Sequence, residues 1–324
     1  MSATAPIAVS APPPRPVRSV WSRLKSGDEA TYLITLACAF TVIAVTALLV
    51  FELFQNSSEA RHQFGWSFLT GQKWNPVALN LGALPFIYGT VVTSLIALII
   101  GIPLGVGAAI FLAELAPPGL SSALTFLIEL LAAVPSVIFG LLGIFVLVPI
   151  LTSAEPYIRS VLGWSPLFQG PFYGVSMFTA GVVLAIMIIP YIISISREVI
   201  LSVPNDQREA ALALGATRWE TTWNVVVPFA RSGIYGSIFL ALARSLGETM
   251  AVTMVIGNEA KIRASLFAPA STIAAELANE FAEASAGVYL SALIELALVL
   301  FALTIAINAI ARLLVLSTAG KESA

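Results

Sequence analysis

Long stretches without charge are the feature of this sequence that most limits the folds open to it. No Asp, Glu, Lys or Arg occurs between Lys73 and Glu114, and Glu29 and Glu52 bracket a second such run. A helix needs about 20 predominantly apolar residues to cross the hydrocarbon of a bilayer. Only 10% of the residues are charged and 58% are apolar, whereas an ordinary soluble domain is about 25% charged. The chain is therefore expected to use lipid as the solvent for its apolar surface.

The apolar runs predict an all-α, polytopic membrane protein with about six transmembrane helices. The predicted spans lie near residues 31–54, 87–113, 122–151, 173–200, 233–257 and 288–314. They form one transmembrane domain over 31–316, between a disordered, proline-rich tail over 1–30 and a short tail over 317–324. The first run is too long for the core of a signal peptide, which has about 7–15 apolar residues, so we interpret it as a span.

The distribution of Lys and Arg predicts the orientation of the spans. With the N-terminus inside the cell, ten of these residues lie on the cytoplasmic side and five outside, and Arg244 lies within a span. Cytoplasmic loops carry the excess of positive charge in membrane proteins. An even number of spans places both termini on one side, so we expect a multi-pass protein of the cell (inner) membrane with cytoplasmic N- and C-termini.

One predicted cytoplasmic loop, residues 202–232, contains helical signals of its own. Asp206 followed by Glu209 fits a capping box at a helix start. Pro204 prevents the preceding helix from continuing, and Gly215 suits a C-terminal cap. The short helix between these signals carries small apolar residues, which suit docking into a groove of a soluble partner.

The same loop resembles the EAA loop of ABC importer permeases. The triplet Glu209-Ala210-Ala211 is followed by Gly215 at the E-A-A-x3-G spacing, and Pro228 follows further on. In that family the loop forms a coupling helix that sits in a cleft of the ATPase subunit. The resemblance implies that the residues in contact with the ATPase are Asp206, Glu209, Ala210, Ala211, Leu214 and Gly215.

Further stretches resemble the phosphate-specific ABC permeases of the PstC type. They include ARSLGETMAVTMVIGN over 243–258 and AAVPSVIFGLLGIFVLVP over 132–149. The resemblance implies the type I ABC importer permease (MetI-like) fold. It also implies three kinds of partner: a PstA-type permease, two PstB-type ATPase subunits and a PstS-type phosphate-binding protein outside the cell. The sequence has no G-x-x-x-x-G-K-[ST] motif. ATP and Mg are therefore expected on the partner ATPases, and no cofactor on this chain.

Arg244 and Glu248 are the candidate residues of the substrate path. At a spacing of four on one predicted helix they share a face. A charge at the bilayer centre costs at least about 2.5–3.5 kcal/mol on insertion scales, so such residues point into the bundle. Arg244 offers a fork of donors that matches phosphate oxygens. The alternative is an ion pair that only packs two helices together. Thr249 and Ser136 are further candidates for the path.

Other functions remain open at this stage. The chain is expected to be non-catalytic and without a metal site, because His62 and Cys38 are its single histidine and cysteine. The net charge of −2 gives no indication of nucleic-acid binding. Permeases for another oxyanion, such as molybdate or sulfate, share the EAA loop. A proton-coupled secondary carrier would use buried carboxylates instead, and a channel or scaffold subunit is a third class.

Overall fold

A computed structural model describes residues 28–284 and 287–319 of the protein. The predicted tail over 1–30 lies outside these residues except for its last three, which begin the first helix. The final helix continues to Ala319. Most of the predicted C-terminal tail, 320–324, lies outside the described residues.

Helices account for nearly all of the described architecture. In chain order the elements are α1 Asp28–Asn56, α2 Ser58–Phe64, α3 Ser67–Thr70, strands β1 Trp74–Asn75 and β2 Asn80–Leu81, α4 Leu84–Ile110, α5 Pro118–Ala132, α6 Ser136–Leu142, α7 Val148–Leu162, α8 Met177–Leu201, α9 Asn205–Ala213, α10 Arg218–Thr221, α11 Val227–Gly247, α12 Met250–Val255, α13 Ile273–Glu280 and α14 Val288–Ala319. The two short strands pair antiparallel. Single π-helical turns extend α4 over Phe111–Leu115, join α6 to α7 over Gly143–Leu147 and join α10 to α11 over Thr222–Val226.

Six helical segments of the described chain are long and apolar enough to cross a membrane, which confirms the predicted all-α, six-span class. They are Thr31–Asn56, Leu84–Leu115, Ser136–Leu162, Met177–Leu201, Arg218–Gly247 and Val288–Leu313. The contacts of the chain divide between Glu52 and Leu53 into two units. Five of the six spans, and every site described below, belong to the second unit.

The predicted third span, near 122–151, is wrong as a single helix. The chain leaves helical geometry at Pro135, where φ is −58° and ψ is 140°. Proline has no N–H to donate and disfavours helical geometry in the residue before it. The segment that is long enough to cross the membrane is therefore Ser136–Leu162. The preceding helix, α5, has only 15 residues, about 22 Å at 1.5 Å per residue, which is too short to cross.

The predicted fifth span, near 233–257, is also divided in the structure. Helix α11 ends at Gly247, Glu248 is extended with φ −68° and ψ 127°, and α12 begins at Met250. At its other end this span starts earlier than predicted, because helical structure is continuous from Arg218. The loop predicted over 202–232 is thus shorter, and its second half is the start of a span.

Helices α4 and α8 form the centre of the core, and small residues let them approach closely. A Cβ placed on Gly105 would lie 2.7 Å from Ile192, and one on Gly181 would lie 2.5 Å from Ile96. Such distances are shorter than ordinary carbon contacts. The small-xxx-small spacing of Gly101 and Gly105 is typical of such close helix approach, and both glycines lie against α8.

Candidate functional site

Arg244 lies near the end of α11 with an incomplete set of hydrogen bonds. Its guanidinium carbon is 4.2 Å from the centroid of the Tyr191 ring on α8, within the range of a cation–π contact. Its Nε atom is buried and has no hydrogen-bond partner within residues 28–284 and 287–319. A buried donor without a partner costs free energy, and more so when the group is charged. The site therefore holds a positively charged group with donor capacity to spare.

Tyr191 connects Arg244 to the break between α5 and α6. Its hydroxyl donates a hydrogen bond of 3.2 Å to the backbone carbonyl of Ala132, the last residue of α5. In a continuous helix the amide of Ser136 would be the donor to this carbonyl. The break at Pro135 removes that donor, and Tyr191 replaces it. One aromatic side chain thus joins the interruption of one span to the arginine of another.

Glu248 is not placed as the sequence predicts. Because α11 ends at Gly247, Arg244 and Glu248 do not share a helical face. No ion pair joins them among residues 28–284 and 287–319. Glu248 and Thr249 are half-buried in the link between α11 and α12, where the Thr249 hydroxyl donates to the Gly247 carbonyl at 3.3 Å. The helix break explains the error, since i,i+4 spacing brings side chains together only where the helix is continuous.

The half-helices beyond the two breaks pack against each other. A Cβ placed on Gly140 of α6 would lie 3.2 Å from the Cα of Ala251 and 2.5 Å from the sulfur of Met254, both on α12. Ser136 begins α6 directly after Pro135 and is half-buried. Ser136 begins α6 and Thr249 directly precedes α12. Two of the predicted path residues therefore lie at the starts of the two half-helices that pack against each other.

The helix predicted around Glu209 is present as α9, with a different start. The helix begins at Asn205 after Pro204, and no side chain caps its N-terminus. The predicted capping box of Asp206 and Glu209 is wrong, because Asp206 lies inside the first turn. A capping box forms instead at α10, where Thr217 accepts from the amide of Glu220 and the Glu220 carboxylate accepts from the amide of Thr217.

The end of α9 has the geometry that the glycine predicts. Gly215 has φ +89°, a left-handed conformation that favours glycine. Its amide donates to the Leu212 carbonyl at 3.0 Å, and the amide of Ala216 donates to the Ala211 carbonyl at 3.1 Å. This pair of bonds is a Schellman motif, which satisfies two carbonyls at the helix end.

The outer surface of α9 is free within the described chain. No residue of the helix is buried: Asp206, Glu209 and Ala210 are exposed and Ala211 is half-buried. The side chain of Leu214 is 90% exposed. An apolar residue held in this way at a helix end contributes little to the fold of the chain, and it suits contact with another protein.

Two residues with specific contacts were not singled out from the sequence. Tyr191 lies in an apolar span, where an aromatic residue is usually interpreted as core. In the sequence, Arg208 contributes only to the positive charge of the predicted cytoplasmic side, although it directly precedes Glu209. A partly buried ion pair of 2.8 Å joins its Nη2 to Oε1 of Glu114, at the end of α4. The position of Arg208 beside the E-A-A triplet is a signal by which it could have been found.

A buried carboxyl group lies outside the six spans, on α13. Glu276 is 7% exposed and its Oε2 accepts a hydrogen bond of 3.3 Å from Ser271. Burial, and secondly the charge of Glu280, raises the pKa of Glu276 to about 7. The pKa of Glu259, on the loop that follows α12, is instead lowered, chiefly by the hydrogen bond from Lys261.

The chain is similar over most of its length to known membrane transport proteins. Residues 101–318 match the family described as binding-protein-dependent transport system inner membrane component. The chain is 49% identical over 290 residues to the phosphate transport system permease protein PstC of Mesorhizobium japonicum, covering 88% of this chain and 89% of that protein. It is 48% identical over 295 residues to the protein of the same name from Xylella fastidiosa, covering 90% of each. An inward-facing structure of the MetNI methionine ABC transporter aligns with 70% of this chain and 93% of that chain, at 17% identity and a TM-score of 0.48.

Proposed function

The chain belongs to the family of binding-protein-dependent transport system inner membrane components, and we propose that it is the permease subunit of an ATP-driven importer of inorganic phosphate. Relatives that are 45–49% identical to this chain are named phosphate transport system permease protein PstC, which supports phosphate as the substrate. Their alignments extend over most of both chains, so the comparison concerns the whole transmembrane domain.

The unpartnered donor of Arg244 is the observation in the structure that carries the proposal. Phosphate at neutral pH is an anion with several acceptor oxygens. A guanidinium binds such oxygens through charge-assisted hydrogen bonds and stays charged at any physiological pH. A buried Nε without a partner therefore gives a passing anion a donor that no group of the protein already occupies.

Tyr191 and Glu248 set how tightly that anion is held. The face of Tyr191 gives Arg244 a weak partner in the absence of substrate, about 0.5–2 kcal/mol for a cation–π contact. Glu248 lies in the helix break, four residues further along the chain. When the break closes, the carboxylate replaces the anion as the partner of Arg244. Transport needs this exchange because a path must bind its ion and also release it.

Helix α9 is the proposed contact with the ATPase. The segment from Asp206 to Gly215 is a short helix with a Schellman motif at its C-terminal end, where Leu214 is exposed. This shape suits a groove on another protein. Two PstB-type subunits with ATP and Mg would bind on this cytoplasmic side, together with a PstA-type permease in the membrane. The PstS-type protein would dock on the opposite side of the membrane, on the segments between spans that are expected there, 57–83, 163–176 and 256–284.

Uptake by intact cells tests the proposal. A strain lacking only this chain is compared with the same strain carrying it, using radiolabelled phosphate with unlabelled phosphate, sulfate or molybdate as competitor. We expect uptake only with the chain, competition by phosphate alone, loss on depletion of ATP and persistence when the proton gradient is collapsed. Competition by sulfate or molybdate would assign another oxyanion, and loss with the proton gradient alone would assign a secondary carrier.

A further inference from the structure

Arg208 joins three elements through one guanidinium group. It belongs to α9, and its Nη2 donates both to Oε1 of Glu114 at 2.8 Å and to the carbonyl of Ile200 at 2.8 Å. Its Nε donates to the same Glu114 oxygen at 3.2 Å, and its Nη1 donates to the carbonyl of Val203. The three elements are α9 itself, the end of α8 and the π-helical turn that ends the span containing α4.

The two carbonyls explain why an arginine is needed on the α8 side. The last carbonyls of a helix have no partner within it. Ile200 is in the last turn of α8 and is fully buried, and Val203 lies two residues beyond the end of the helix. A cationic side chain satisfies such groups and interacts favourably with the negative end of the helix dipole. Arg208 reaches both at once because its donors form a planar fork.

Glu114 supplies the connection to α4. It lies in the π-helical turn Phe111–Leu115, a local irregularity of a kind found often at functional sites. The side chains of Arg208 and Glu114 are 16% and 12% exposed, so water screens their attraction little. Removal of one partner of such a pair leaves an uncompensated charge.

No residue of α9 is buried, so apolar packing contributes little to its position. The chain segments at its two ends, its contacts with the π-helical turn Thr222–Val226 and the hydrogen bonds of Arg208 hold it. Helices α4 and α8 pack closely along the core through Gly105 and Gly181. A force applied to the outer surface of α9 is therefore passed on to α8 by the chain and to α4 by Arg208 and Glu114.

We propose that Arg208 is a positioning residue whose ion pair with Glu114 makes α9 and the end of α4 move as one body, so that motion of a docked ATPase reaches the α4–α8 core. This inference rests on the proposed function, since it needs an ATPase on α9. Without the pair, α9 still binds the ATPase and still follows α8, but the end of α4 is no longer tied directly to α9, and motion reaches α4 only through its packing against α8. ATP is then hydrolysed with less transport.

The experiment uses the full complex, purified with its ATPase subunits and reconstituted in liposomes with the external binding protein. The variants are Glu114→Gln and Arg208→Lys. The first removes the negative charge with little change in shape, and the second keeps the positive charge and removes the fork. Glu198→Gln is the matched control: Glu198 forms an ion pair of 3.1 Å with Arg197 at the same end of α8, but its side chain is 74% exposed and the pair joins no second element. Three quantities are measured: ATPase recovered with the permease, ATP hydrolysed, and phosphate transported per ATP.

We expect phosphate transported per ATP to fall about fivefold or more in Glu114→Gln and in Arg208→Lys, the range of a coupling free energy between two sites. ATPase recovery and hydrolysis should stay at the level of the unmodified protein, and Glu198→Gln should leave all three quantities unchanged. An unchanged ratio in a variant that assembles normally would overturn the inference, and so would loss of ATPase recovery, which would make the pair part of the docking surface. If one variant does not assemble, the other decides. Absence of phosphate uptake by the unmodified complex would instead refute the proposed function.

Discussion

The hydroxyl of Tyr191 bonds to the last residue of α5, Ala132, while the face of the same ring contacts Arg244 of α11. The hydroxyl and the ring of Tyr191 have different roles. The hydroxyl satisfies a carbonyl that the break at Pro135 leaves without its helical donor, and the ring contacts a cation that has no carboxylate partner in the described part of the chain. Both effects can be separated by substitution.

Tyr191→Phe should therefore keep the position of Arg244 and lose only the bond to Ala132. A net hydrogen bond contributes about 0.5–1.5 kcal/mol to stability, so we expect a small decrease in thermal stability with phosphate uptake largely retained. Tyr191→Leu removes the ring as well and should reduce uptake strongly. Thermal unfolding in detergent and uptake in cells measure the two effects. Equal uptake by both variants, at equal protein levels, would contradict a role of the ring in holding Arg244.

Arg244→Lys distinguishes an anion site from an ion pair used only for packing. Lysine keeps the charge but lacks the planar fork and the stacking surface of arginine. We expect phosphate uptake to fall about tenfold or more, equivalent to about 1.4 kcal/mol, and Arg244→Gln to abolish it. Binding of the ATPase subunits serves as the control and should not change. Near-normal uptake by both variants would remove Arg244 from the substrate path.

Much of this architecture could be predicted from sequence because lipid imposes simple rules. Six spans follow from long apolar runs, and the close approach of α4 and α8 follows from the spacing of Gly101 and Gly105. The glycine at the end of α9 likewise predicts its own left-handed conformation, since few other residues adopt it readily.

The breaks within spans were harder to predict for a physical reason. Pro135 ends a helix, whereas Pro103 and Pro190 lie inside continuous helices of the structure. Neighbouring helices can supply partners for the backbone groups that a proline frees, and the local sequence does not describe those neighbours. The break at Glu248 has no proline at all. For the same reason the sequence predicts a partner for Arg244 four residues away, whereas the side chain that contacts it is Tyr191, on another helix.

Leu214→Glu tests the docking role of α9 without disturbing the fold. The side chain is 90% exposed, so the change should leave the stability of the chain nearly the same. A charge in place of an apolar contact should weaken association with the ATPase subunits. The fraction of ATPase that copurifies with the permease measures this. The control is Trp164→Glu, at a residue that is 82% exposed in the segment between α7 and α8. Undiminished copurification would count against this end of α9 as the contact.

Gly215→Ala addresses the shape of the same surface. A Cβ at this position meets no atom within 4 Å, so any cost comes from the left-handed backbone, φ +89°. That conformation costs about 1–2 kcal/mol for a residue other than glycine. We expect the Schellman motif to loosen and ATPase copurification to fall. Gly236→Ala is the control, since its Cβ also meets no atom within 4 Å but its backbone is helical. Equal effects of the two substitutions would show that the backbone conformation of Gly215 does not matter for docking.

Glu276 should make the stability of the protein depend on pH. The pKa of this carboxyl group is raised from 4.5 to about 7 by burial and by Glu280, while the hydrogen bond from Ser271 opposes the shift. The folded state therefore binds the proton more tightly than the unfolded state. The stabilisation is fully present below about pH 4.5, decreases as the pH rises to about 7, and stays level above that value. Glu276→Gln resembles the protonated form and should remove this part of the pH dependence.

The measurement is the Tm of the purified protein between pH 5 and pH 8, taken as the difference between the Glu276→Gln variant and the unmodified protein. This difference should grow with pH up to about 7 and then remain constant. Glu280→Gln provides a second comparison: it removes the nearby like charge, which lowers the pKa of Glu276, so the decrease should end at a lower pH. A difference that does not vary with pH would show that Glu276 ionises in the folded protein as readily as in the unfolded chain.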